Sequence, residues 1–151
     1  GPSGARQMPV EDICTGPRQT CIGQDELLVS ITLPKPEEGF GANYLRFIPR
    51  NEMDIAVAGV GASVTISDNK FKAARICLAS VAPTPLFVQE AGDSLIGKTV
   101  DDNAIQGAAE LARDAAKPIS DMRGTAEYRT HLCEVLTRRA LNKAIERAQG
   151  S

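Results

Sequence analysis

Residues Ile55 to Ser67 read IAVAGVGASVTIS, and beyond Asp68-Asn69 the chain returns as Phe71 to Val81, FKAARICLASV. Both stretches suit strands, and Asp-Asn between them is turn chemistry, so the pair predicts an antiparallel hairpin. Both faces of the hairpin are largely apolar, which places it centrally in a sheet covered by helices on at least one side. Tyr44 to Phe47 (YLRF) adds a short strand ahead of it. Gly59-Val60-Gly61-Ala62-Ser63 fails as a dinucleotide fingerprint: it lacks the third glycine and runs along a strand instead of into a helix. Its small residues predict close approach of a helix or neighbouring backbone to the sheet.

Downstream, the period changes. Thr99 with Asp102 three residues later predicts a capped helix start, and Ala104, Ala108, Leu111, Ala112 and Ala115 form one stripe before Pro118. A longer helix is predicted from about Thr125, with apolar contacts from Tyr128, Leu132, Val135, Leu136, Leu141, Ala144 and Ile145. Strands followed by helices, instead of alternating with them, give an α+β class: an antiparallel sheet of three to four strands packed against about three helices. Upstream, Leu27 to Leu33 (LLVSITL) alternates and is predicted as a strand ended by Pro34. The break from Pro34 to Gly41 divides the chain into residues 1–40, a strand-bearing appendage, and residues 41–149, a compact α+β domain.

The 151 residues are 42% hydrophobic and 24% charged with a formal charge of −2, so one substantial core is expected and a disordered polymer is not. Acids and bases are interspersed, and the basic Arg138-Arg139 stretch has Glu134 and Glu146 close by, which argues against nucleic acid and for a solvated helix face. No apolar run is long enough to span a bilayer and no secretory pattern opens the chain, so a cytoplasmic location without a membrane span is expected. Cys14, Cys21, Cys77 and Cys133 form no C-x-x-C pair and His131 is the only histidine, which predicts no metal site. Cys77 and Cys133 are expected to act as small core residues. His131 sits mid-helix without a serine elbow and reads as a surface or interfacial residue, so no catalytic set is predicted.

Three stretches carry a resemblance: Glu52 to Ala56 (EMDIA), Val81 to Pro85 (VAPTP), and Pro118 to Arg129 (PISDMRGTAEYR). With His131 to Arg139 (HLCEVLTRR), Val10-Glu11-Asp12, Thr15-Gly16-Pro17 and Asp25 to Pro34 (DELLVSITLP), the order and spacing resemble the flavoprotein medium subunit of the xanthine dehydrogenase and carbon monoxide dehydrogenase molybdenum hydroxylases. The resemblance implies that residues 1–40 are the tail of an FAD-binding domain and residues 41–149 the C-terminal domain. It implies FAD, shared with an N-terminal region missing from this chain, whose glycine-rich loops cradle the pyrophosphate. It further implies a molybdenum-cofactor large subunit and an iron-sulfur small subunit as partners, with the flavin passing electrons from the clusters to an acceptor. Leu28 matches a position that packs against the isoalloxazine, Arg46 matches the basic residue beside it, and Tyr44 is placed to approach the ring. The departures are Ile13-Cys14 where the family usually has two aromatics, and Arg46 where it often has lysine. The competing expectation is a freestanding α+β interaction module that kept the fold and lost the flavin.

Overall fold

Asp68 and Asn69 both take positive φ, 52° and 56°, in a two-residue loop that joins Ser67 to Lys70. This is the turn whose twist matches that of paired strands, and Asp and Asn tolerate it better than branched residues do. The computed structural model describes residues 1–50 and 54–150, so Glu52 and Met53 of EMDIA lie outside the described residues. Among the described residues β1 (Cys14–Gly16) and β2 (Gln19–Thr20) form a small hairpin. The main sheet has the order β3 (Phe40–Phe47), β4 (Ala58–Ser67), β5 (Lys70–Ala79), β6 (Leu86–Phe87), antiparallel throughout. Helices α1 (Gln89–Asp93), α2 (Asp102–Ala115) and α3 (Ala126–Gln149) follow. The expected antiparallel sheet on about three helices is therefore the fold that forms.

Alternation decides what each face does. Ala58, Val60, Ala62 and Val64 of β4, with Ile76 and Leu78 of β5, point to one side and are buried with Leu132, Leu136, Leu141 and Ala144 of α3. Gly41 shows how close that packing is: a side chain there would collide with the Ala144 carbonyl, so α3 lies directly against the β3 backbone. Of the Gly59 to Ser63 stretch, expected to admit a helix or neighbouring backbone, Ala62 faces the helices, whereas Gly59 and Gly61 face the opposite side. Among the described residues none of α1 to α3 packs on that side, and only the single 3-10 turn Val10–Asp12 reaches it, through Glu11 to Arg75. The hairpin is central, with its α-helices on one face.

Other differences have local causes. Asp101, not Thr99, caps α2, its carboxylate accepting from the Ala104 amide at 2.8 Å. The longer helix begins where expected, and Thr125 caps it, accepting from the Tyr128 amide at 3.1 Å. Cys133 is buried, whereas Cys77 stands exposed on the uncovered face, contrary to its expected core role. His131 is exposed.

Leu27 to Leu33 forms no strand. The segment has no regular secondary structure and no strand partner among the described residues, and it leaves Leu27, Val29 and Leu33 more than 80% exposed. A strand needs a neighbour for its amides and carbonyls, and its apolar alternation needs a surface to cover. Neither lies beside it here.

Candidate functional site: the uncovered face of the sheet

Cross-strand register builds the uncovered face in rows. Arg46, Gly59 and Ala79 share one; Tyr44, Gly61, Cys77 and Phe87 share the next; Ala42, Ser63 and Arg75 share a third. The β4 positions in the middle are glycine, glycine and serine, so the centre of the face is low and flat. Tyr44 and Arg46 stand two residues apart on the edge strand β3, both exposed. The Tyr44 ring leans over β4, with its Cδ2 above Gly61 and its hydroxyl above Gly59.

Arg75 organises the opposite end. Its guanidinium lies 4.2 Å from the Phe87 ring centroid and donates to Glu11 Oε1 at 3.0 Å. A backbone hydrogen bond, then the Arg75 contact, hold the Glu11 carboxyl below its usual range. Through this pair, and through Lys72 to Glu37 at 3.4 Å, the segment before β3 is tied to β5. A hollow of about 120 Å³ between Phe40, Ser63, Thr65 and Arg75 is well below the few hundred Å³ of a usual ligand pocket, so the face is a platform and not a cleft. Although Cys77 is exposed by surface area, desolvation by the atoms around its thiol pushes that thiol up, which argues against a nucleophile.

The structure brings together two of the three residues singled out from sequence. Tyr44 and Arg46 share the uncovered face; Leu28 sits on the unpaired segment, 59% exposed and outside the sheet. Among the described residues neither the Tyr44 hydroxyl nor the Arg46 guanidinium has a hydrogen-bond or ion-pair partner. A cation and a phenol on an open edge can hold an oxygen of a planar ligand, but they contain no nucleophile or base positioned for chemistry of their own. Sequence reading missed the glycine floor beneath Tyr44, because Gly-x-Gly in a strand does not show which face its neighbours use.

Within Pro118 to Arg129, Arg129 forms an internal brace. Arg129, 4% exposed, donates to Asp121 Oδ1 at 2.5 Å, to the Val57 carbonyl at 3.1 Å and to the Ser80 carbonyl at 3.4 Å. It thereby joins the ends of β4 and β5 to the turn before α3. Asp121 also accepts the Arg123 amide at 2.8 Å; this contact first, and Arg129 second, hold its carboxyl below the usual range.

Residues 43–144 match the family described as CO dehydrogenase flavoprotein C-terminal domain. The chain is 40% identical over 149 residues to the carbon monoxide dehydrogenase medium chain of Afipia carboxidovorans, covering 99% of this chain and 51% of that one. It is 27% identical over 150 residues to the xanthine dehydrogenase FAD-binding subunit of Escherichia coli O157:H7, again covering 99% and 51%. Among solved structures, reconstituted CO dehydrogenase from Oligotropha carboxidovorans superposes with a TM-score of 0.92 at 39% identity, covering 97% of this chain and 51% of that one. The chain thus spans about half the length of the relatives it matches. With the family matched over 43–144, on the same α+β architecture, this chain belongs to the CO dehydrogenase flavoprotein C-terminal domain family.

Proposed function

We propose that this chain is the C-terminal part of the FAD-carrying medium subunit of a molybdenum hydroxylase, and that it supports the flavin through which electrons leave the complex. The observation that carries this reading is the match of nearly the whole chain to one half of relatives named as medium chains and FAD-binding subunits. The exposed Leu27–Leu33 segment is consistent with it. Such a segment keeps one place in an isolated domain only at the cost of exposed apolar surface, and a sheet in an upstream FAD-binding segment would take up both its backbone groups and its leucines. Residues 1–40 then belong with that upstream unit and residues 41–149 form the supporting domain.

The residues present fit a flavin at the rim of the uncovered face. Arg46 supplies a fixed positive charge, Tyr44 a hydroxyl donor and an aromatic surface, and Leu28, on the upstream side, an apolar contact. FAD, when bound, accepts an electron pair and passes it to an acceptor. Arg46 favours the negative charge that reduction places on the ring. A molybdenum-cofactor subunit and an iron-sulfur subunit are the partners this role requires. FAD titration separates the outcomes. The chain alone should show no saturable binding, because it lacks a glycine-rich phosphate cradle, whereas the chain fused behind the upstream half of the Afipia medium chain should bind one FAD. Stoichiometric FAD on the chain alone, or none on the fused protein, overturns the reading.

A further inference from the structure

Gly59 lies beneath the Tyr44 hydroxyl. A Cβ built on Gly59 would stand 2.7 Å from Tyr44 Oη, closer than atoms of a settled structure approach, and 3.4 Å from Tyr44 Cζ, at the near edge of ordinary contact. The same construction on Gly61 meets Tyr44 Cδ2 at 3.7 Å, an ordinary contact. The ring therefore runs along β4 from Gly61 to Gly59, and only the Gly59 end needs the missing side chain. Gly59 pairs in register with Arg46, so the hydroxyl is carried from its own row into the row of the arginine. Paired Cβ positions on neighbouring strands stand about 5 Å apart, which brings the phenol tip close to the base of the Arg46 side chain.

We infer that Gly59 is a positioning residue: it seats the Tyr44 ring across β4 so that its hydroxyl and the Arg46 guanidinium form one pair of donors toward a carbonyl oxygen of the bound flavin. The inference rests on the flavin reading above and adds to it the residue that sets the pair's geometry. Neither donor has a partner among the described residues, so each is free to serve a ligand. The collision that a larger residue would cause falls on the far end of a flexible side chain. A substitution at Gly59 should therefore swing the ring aside without opening the sheet.

The seat can be read in this chain without flavin. Proton NMR of the wild type should show cross-peaks from the Tyr44 ring to the Hα protons of Gly59 and Gly61, and Tyr128→Phe leaves Tyr44 as the only tyrosine. Gly59→Ala should abolish the ring contact with Gly61, while Gly61→Ala, the matched control, should leave the ring in place. In the fused, flavin-carrying protein, Gly59→Ala should lower the flavin midpoint potential, Tyr44→Phe should lower it similarly, and the double variant should go no further. A ring that stays put in Gly59→Ala overturns the inference. So does a displaced ring with an unchanged potential, or two shifts that simply add. Wild-type fused protein that takes up no flavin defeats the functional reading, and the donor pair's role with it, while the cross-peaks still decide whether Gly59 seats the ring.

Discussion

Arg129 is the residue whose loss should be felt most. Its guanidinium donates to three backbone carbonyls, of Val57, Ser80 and Gly124, and to a carboxylate at the junction of β4, β5 and the turn before α3. Truncation leaves the Val57 carbonyl buried and unpaired. Arg129→Ala should therefore destabilise the domain by about 2 kcal/mol or more, read as a lower denaturant midpoint, since an orphaned buried group costs its full desolvation. Arg123, whose own pairing to Asp121 is long at 3.5 Å and exposed, should change stability by less than about 0.5 kcal/mol when cut to alanine. Asp121 adds a pH signature. Its folded carboxyl is held below the ordinary value of 3.8, so its contribution is complete above that value and is lost as pH falls through the folded value. The stability gap between wild type and Asp121→Asn, measured by denaturant melts, should stay constant from about pH 7 to 5 and close below about pH 4. Thr137 predicts the opposite sign from Arg129: among the described residues its buried hydroxyl has no hydrogen-bond partner, so Thr137→Val should be neutral or stabilising by up to about 1 kcal/mol.

At the scale of elements, what was legible depended on whether the signal was periodic. The β4–β5 hairpin was visible because two long apolar strands flank a turn that wants Asp and Asn, and α2 and α3 because their stripes persist over several turns. The five-residue α1 and two-residue β6 are too short to express a period, and they stay hidden in sequence. Leu27 to Leu33 failed for another reason: alternation reports that a segment suits a half-buried strand, not that a neighbour is there. Contact between α3 and the sheet supplies the most direct check on packing. Gly41→Ala would drive a methyl group into the Ala144 carbonyl and the Ala148 amide, backbone groups that move only with the helix. The expected cost is about 1–3 kcal/mol in a thermal or denaturant melt, whereas an unchanged midpoint would mean that α3 sits farther from β3 than the structure shows.

At the scale of the whole molecule, the two parts of the chain differ in how well they account for themselves. The α+β domain closes its own core, while the segment ahead of it exposes a row of leucine, valine and isoleucine. That contrast also explains why the site was only partly legible. Tyr44 and Arg46 could be placed on one face by counting along a strand, but the floor beneath them depends on which face of β4 the helices leave bare, and Leu28 depends on a surface beyond its own segment. Amide hydrogen exchange across Leu27 to Leu33 tests the central claim, that the chain is one part of a larger flavin-carrying subunit, most directly. In the chain alone these amides should exchange at close to unprotected rates; in the protein fused behind the upstream half of the Afipia medium chain and loaded with FAD, they should become strongly protected. Protection already present in the chain alone, or none in the flavin-loaded fusion, would contradict the account.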